Sequence, residues 1–205
     1  MSIGPALDAL FAALTRADAP LTSWLATGMS RAEIGARAES LPVRLADEIC
    51  DYFAWRNGLR PTRDADYELF PGFTMLSLEE AMADYRMLID TAQQVAKQAG
   101  VPASSLWNER WFPLFRDAGG DYHVVLTEAR PTPTAPLYAV VREDPGSAYL
   151  AYDSLTSLIE TVAGCFEAGA FKAVGEIVEE DRPRAAAIVR SHNPERMKRA
   201  AEWRP

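Results

Sequence analysis

Apolar residues near the amino terminus recur at the spacing of a helix. From Ile3 to Leu14 they fall three or four positions apart, which predicts an amphipathic helix with one face to bury. Pro20 interrupts this pattern, and a second, shorter helical piece is expected after it. We therefore expect residues 1–29 to form a helical extension ahead of the main domain.

Helix start and stop signals divide the next part of the chain. Two Ser-x-x-Glu sequences, at residues 30–33 and 77–80, are capping boxes, in which each side chain bonds the backbone amide of the other residue. A further helix is predicted to open at Leu41-Pro42, because proline is tolerated in a first turn, and to stop at Asn57-Gly58. The helix after the second capping box should continue to Gly100.

Short apolar runs bounded by turn residues predict the strands of a sheet. They lie at Tyr67–Phe70, Phe73–Leu76, Trp111–Phe115, Tyr122–Leu126, Leu137–Val141 and Ala148–Tyr152. Helices are expected after Asp153-Ser154 and over Ala185–Ser191, with a final strand at Phe171–Val174. This order predicts an α+β fold, with a mostly antiparallel, twisted sheet of about five or six strands flanked by helices. Residues 30–195 would form one domain, followed by a basic tail at residues 196–205.

Composition and charge say less about the fold than about the kinds of molecule that the protein could bind. The 205 residues are 48% apolar and 24% charged, which suffices for a core without a metal or a disulfide. The formal net charge is −8 and the pI is about 4.9. A negative surface repels nucleic acid and anionic lipid, so we expect no role for nucleic acid or a membrane; the charge would favour a basic partner or simply keep the protein in solution.

The cysteines and the amino terminus indicate a cytoplasmic protein. Cys50 and Cys165 each fall inside an apolar helical pattern, so we expect two buried free thiols, as in a reducing compartment. The first residues lack the basic region of a signal peptide, and Asp8 stands within their apolar part.

Sequence motifs for catalysis are absent. The chain contains no Gly-x-Ser-x-Gly elbow, no Walker loop, no Gly-x-Gly-x-x-Gly fingerprint and no Cys-x-x-Cys pair. Two histidines, His123 and His192, offer few donors for a metal or for acid–base chemistry. We therefore expect no catalytic residue, no metal and no cofactor. One alternative stays open, a small hydrolase or ligand-binding enzyme in which Asp117, Asp121 and His123 converge.

A polar turn lies between two apolar strands in residues 111–125, WFPLFRDAGGDYHVV. Gly119 and Gly120 can adopt positive φ, so they are expected to form the structural turn of a hairpin. Arg116 and Asp117 would either pair with each other or stand out at the rim of the sheet. The residues expected to contact a partner there are Trp107, Arg116, Asp117 and Asp121.

Four segments carry a resemblance to a known family. They are Leu41-Pro42 with Trp55–Gly58, Phe70-Pro71-Gly72 with Leu76–Ala81, Trp111–Tyr122, and Tyr152–Leu158. Their order and spacing resemble those of the SUKH superfamily, which includes the fungal cell-wall assembly regulators and many bacterial immunity proteins. The third segment, a strand followed by a Gly-Gly-Asp turn and another strand, is the most specific. Residues 1–29 have no counterpart, and the Pro131–Pro136 loop departs from the simplest form of the family.

The resemblance implies a non-enzymatic protein-binding domain. Many bacterial members are immunity proteins that block a toxin, so we expect this chain to neutralise a toxin or to act as a regulatory interaction domain. An acidic surface would favour a basic toxin domain by steering its approach. Besides the hydrolase, a scaffold that self-associates through residues 3–28 is a further alternative, and the sequence leaves the oligomeric state open.

Overall fold

A computed structural model describes residues 2–60 and 67–202 of the protein, without the side chains of residues 199–202. Most of the polar loop predicted at residues 60–66 therefore lies outside the described residues, as do the last three residues of the predicted tail.

Helices and strands alternate in blocks along the described chain. The helices α1 to α7 span Gly4–Arg16, Arg31–Ala38, Asp47–Trp55, Leu78–Ala99, Leu155–Glu167, Arg182–His192 and Pro194–Glu202. The strands β1 to β8 span Glu68–Phe70, Phe73–Met75, Trp111–Arg116, Tyr122–Leu126, Leu137–Val140, Tyr149–Tyr152, Phe171–Val174 and Ile177–Glu180. Two short 3-10 turns lie at Pro20–Ser23 and Ala103–Ser105.

The first six strands form one antiparallel sheet in the order of the chain. This arrangement, with helices flanking the sheet and a helix at the amino terminus, confirms the predicted α+β fold class. The strand predicted at Phe171–Val174 does not join that sheet. It pairs with β8 in a separate hairpin, and the Glu176 carbonyl at its tip accepts a 2.9 Å hydrogen bond from the amide of Glu68 in β1.

The two faces of the sheet bury different sets of side chains. On one face, Val125 and Leu137 belong to the main core, which also contains buried residues of α1, α3 and α5. On the other face, Tyr122, Val124 and Val140 join a smaller cluster with residues of α4. Successive residues of β4 thus point to opposite apolar clusters, as expected for a strand inside a sheet.

The amino-terminal helix belongs to the main core. Helix α1 packs along α5, and its side chains Leu7, Leu10 and Leu14 are at most 2% exposed. Burial of a leucine side chain contributes roughly 1.5–3 kcal/mol, so this face stabilises the fold substantially. The same face cannot mediate self-association while it is docked on α5.

Serine caps begin three of the helices, but one predicted helix start is wrong. Ser30 and Ser77 form the expected capping boxes, and Ser154 accepts a hydrogen bond from the amide of Ser157 at the start of α5. No helix begins at Leu41-Pro42, and α3 starts only at Asp47. Residues 41–43 bend, and Arg44 forms an isolated antiparallel bridge in which its amide donates to the Glu128 carbonyl; over residues 41–45, buried and exposed positions alternate.

A buried carboxylate joins α3, the proline-rich loop and α5. Glu48 is 2% exposed, and every hydrogen-bonding group that contacts its carboxylate is a donor. Oε1 accepts from the amides of Ala135 (2.8 Å) and Leu155 (3.2 Å), while Oε2 accepts from the amide (2.9 Å) and the hydroxyl (2.8 Å) of Thr156. This set of bonds fixes the amino-terminal end of α5 against the loop that precedes β5.

The two thiols differ in burial. Cys165 is fully buried and Cys50 is half-buried, and both are free. Burial raises the pKa of each thiol above its ordinary value, so both remain protonated near neutral pH. None of the described helices combines the length and apolar character that crossing a membrane requires.

Candidate protein-binding surface

The turn between β3 and β4 is closed by Asp117. Its amide donates to the carbonyl of Asp121 (3.0 Å), and its Oδ1 accepts from the amide of Asp121 (2.7 Å). Gly120 has φ of +92°, whereas Gly119 does not adopt positive φ. The carboxylate of Asp117 and the backbone freedom of Gly120 therefore shape the turn together.

A second carboxylate ties this turn to the loop between β5 and β6. Asp121 Oδ1 accepts a 2.9 Å hydrogen bond from the amide of Arg142, and the Arg142 guanidinium lies 3.4 Å from the carbonyl of Gly119. The two loops at this end of the sheet thus hold each other in place.

Arg116 pairs with α4 and not with Asp117. Its guanidinium lies 3.1 Å from the carboxylate of Asp84 and 3.7 Å from that of Glu80. The hydroxyl of Tyr122, the cross-strand neighbour of Arg116, donates to Asp84 at 3.3 Å. Burial, and the nearby Asp84 carboxylate, raise the pKa of Tyr122 to about 12. Strand alternation places both side chains under α4, so neither stands free at the rim.

His123 points to the opposite face and lies in the core. It is 7% exposed, and aromatic rings surround it, with centroid distances of 4.3 Å to Phe73, 5.3 Å to Phe70 and 5.9 Å to Tyr152. Burial, assisted by the positive charge of Arg196, lowers the pKa of His123 to about 4. The imidazole is therefore neutral near pH 7. Its Nδ1 has no hydrogen-bond partner within the described part of the chain.

The structure does not assemble Asp117, Asp121 and His123 around a cavity. His123 lines neither of the two cavities that flank the β3–β4 turn. The carboxylates of both aspartates already accept backbone hydrogen bonds. A general base needs an accessible position within hydrogen-bond reach of its substrate, which this buried imidazole lacks.

An apolar groove runs between α4 and the sheet beside the same turn. We call it the α4 groove, and its volume is about 210 Å³. Its principal apolar lining residues are Leu88, Ala92, Val95, Trp107, Tyr122 and Val140. Trp107 is only 6% exposed and packs edge-on against Trp111, with ring centroids 5.2 Å apart, so it forms a wall of the groove.

The remaining wall is the loop between β5 and β6, which supplies Arg142 and Pro145. Gly146 holds this loop against the 3-10 turn at Ala103–Ser105. It has φ of +84°, and a Cβ added there would lie 2.0 Å from the carbonyl oxygen of Ser105. Only glycine allows this close approach, so the groove depends on a residue that carries no side chain.

Exposed apolar side chains continue the groove onto the outer surface of α4. Met87 is 47% exposed and Val95 is 45% exposed, and they are eight residues apart on the same helix. Positions four apart lie on the same face of a helix, so Met87, Thr91 and Val95 form one ridge. An apolar ridge beside an apolar groove with polar residues around it is typical of an interaction surface.

A second, smaller cavity of about 80 Å³ lies on the other side of the turn. It is lined by polar and small residues that include Glu68, Thr74, Arg116 and Asp117. Two of the four residues predicted to contact a partner therefore border this cavity, whereas Trp107 borders the α4 groove. The role of all four in binding stays a prediction.

No protein-family model matches this chain, and no curated protein sequence matches it either. Within the described residues, no group of three or more His, Cys, Asp or Glu side chains could hold a metal ion.

Proposed function

We propose that this protein is a non-enzymatic, cytoplasmic protein-binding domain, either an immunity-type protein that neutralises a toxin or a regulatory interaction domain. The observation that carries the proposal is the surface formed by the α4 groove and the exposed ridge of α4. Specific interfaces combine a buried apolar centre with a polar rim, and this surface offers both. The SUKH-like order of motifs supports the same assignment.

The placement of the polar side chains at the turn agrees with a binding role. Asp117 and Asp121 shape the loops, and Arg116 joins the sheet to α4. These interactions make the surface rigid, and a rigid surface loses less conformational entropy when it binds. The hydrolase alternative has weaker support because His123 is enclosed by aromatic rings.

The distribution of charge favours a basic partner. Residues 1–181 contain 27 acidic and 14 basic side chains, whereas residues 182–205 contain seven basic and two acidic ones. The body of the protein is thus strongly negative, and the carboxyl-terminal segment is positive. Such a field accelerates the association of a basic toxin domain and orients it away from the carboxyl terminus.

Complex formation with the protein encoded beside this one tests the proposal. We expect its toxin-like domain to form a one-to-one complex by isothermal titration calorimetry, and co-expression to restore growth. Val95→Glu on α4 should weaken binding at least about tenfold, because it places a charge in the apolar centre of the interface. Val174→Glu is the matched control, since Val174 is 49% exposed on the β7–β8 hairpin.

Absence of both binding and growth rescue would contradict the proposal. Equal loss of affinity in the two valine variants would contradict the assignment of the surface to α4.

A further inference from the structure

The α4 groove is too small for most small-molecule ligands. Its volume of about 210 Å³ falls below the roughly 300–1,000 Å³ that is typical of such sites. It suits one bulky side chain, and protein interfaces concentrate their binding energy in anchors of that kind. The exposed ridge of Met87 and Val95 extends beyond the groove, so an occupant larger than one side chain would bury more apolar surface.

One charged side chain lines the groove. Among the described residues around it, Arg142 alone carries a charge. Glu143 and Asp144 follow in the same loop but do not line the groove, and Asp144 accepts a hydrogen bond from the hydroxyl of Tyr149.

Arg142 has no acidic partner among the described residues, in contrast to the arginines that tie the elements of the fold together. Arg31, Arg37, Arg110 and Arg116 each pair with an Asp or Glu side chain. Arg142 makes no ion pair with any described residue, and its guanidinium meets only the carbonyl of Gly119, at 3.4 Å. Its amide is held by Asp121, so the backbone is anchored while most of the guanidinium donors stay available.

We infer that the α4 groove receives a bulky apolar side chain of the partner protein and that Arg142 binds an Asp or Glu carboxylate next to that side chain. This inference rests on the proposed protein-binding function and names the chemistry of the segment that is recognised. The apolar walls provide affinity, and the guanidinium provides orientation, because its fork of donors matches a carboxylate. An acidic residue beside the anchor is thus required even though the partner as a whole is basic.

Three acetylated, amidated peptides that differ in one residue test the inference: Ala-Trp-Glu-Ala, Ala-Trp-Gln-Ala and Ala-Trp-Lys-Ala. Each is titrated into the full-length, isotope-labelled protein and followed by nuclear magnetic resonance. We expect shifts of the Gly120, Val141 and Arg142 amides and of the Trp107 indole. The Glu peptide should bind about three- to fivefold more tightly than the Gln peptide, as an exposed ion pair allows, and the Lys peptide most weakly.

Two variants separate the apolar and ionic parts of the site. Arg142→Gln should abolish the preference for the Glu peptide, whereas Arg190→Gln, on the exposed surface of α6, should preserve it. Thr91→Trp, which adds a ring at the groove wall, should remove the shifts for all three peptides. Thermal melts establish that each variant is folded.

Three results would overturn the inference: no shifts at the groove, equal affinity for the three peptides, or an unchanged preference in Arg142→Gln. Such a failure is distinguishable from failure of the proposed function. If the protein still forms a complex with the neighbouring gene product, only the inference about the groove is wrong.

Discussion

Glu48 should be among the most sensitive positions for stability, although it lies far in sequence from most of its partners. Its carboxylate accepts four hydrogen bonds from Ala135, Leu155 and Thr156 in a site that is 2% exposed. Glu48→Gln preserves the shape of the side chain but replaces one acceptor oxygen with an amide NH₂, which donates. Its NH₂ group must then face either the amides of Ala135 and Leu155 or the amide and hydroxyl of Thr156, and of these groups only the hydroxyl can turn to accept.

The magnitude follows from the number of bonds lost. With the NH₂ group turned toward Thr156, Glu48→Gln leaves one donor, the Thr156 amide, without an acceptor, so we expect a loss of about 1–3 kcal/mol. Glu48→Ala removes all four bonds and should cost about 3–5 kcal/mol. Both values are large fractions of the roughly 5–15 kcal/mol that separates folded from unfolded domains.

Urea unfolding followed by tryptophan fluorescence and far-ultraviolet circular dichroism measures these losses. Glu176→Gln is the matched control, because Glu176 is exposed and its side chain makes no hydrogen bond to a described residue. That change should stay within about 0.5 kcal/mol. If Glu48→Gln were as stable as the parent protein, an acceptor-only site at this position would be refuted.

Three further predictions concern other buried or strained positions. The pKa of His123 is lowered to about 4, so the unfolded state binds the proton more readily and stability should fall by roughly 3 kcal/mol between pH 6.5 and 4. His123→Phe should flatten that part of a pH series of urea midpoints. Gly146→Ala would place a Cβ 2.0 Å from the Ser105 carbonyl oxygen at φ of +84°, so it should lower the melting temperature more than Gly175→Ala, whose added Cβ at φ of +61° meets no atom within 4 Å. Asp84→Asn should cost about 1–3 kcal/mol in urea unfolding, because it leaves Arg116 beneath α4 without its closest carboxylate; a loss below 0.5 kcal/mol would contradict this.

Local signals in the sequence predict the parts of the fold that depend on neighbouring residues. Both capping boxes, at Ser30 and Ser77, depend on side chains three residues apart, and both form. The strands of the meander also follow from their alternation and turns. The incorrect helix start at Leu41-Pro42 shows the limit, because proline suits a bend outside a helix as well as a first helical turn. The alternation of apolar residues over 41–45 was the signal against a helix there.

Contacts between distant segments determine most of the candidate surface, and no local pattern predicts them. The partner of Arg116 is Asp84, 32 residues earlier, and it becomes a neighbour only when α4 packs on β3. Arg142 lies in a segment whose composition predicts only a turn. Its place at the groove depends on Gly146 packing against Ser105, a contact between two loops. The spacing of Met87, Thr91 and Val95 is visible in the sequence, but whether that ridge is covered depends on tertiary structure.

Hydrogen–deuterium exchange of the complex with the neighbouring gene product tests the central claim most directly. The account predicts protection on binding at residues 87–95 of α4, at the β3–β4 turn and at residues 141–146, with little change on the β7–β8 hairpin. Protection confined to the hairpin or to α6 and α7, with α4 exchanging as in the free protein, would contradict binding through the α4 groove.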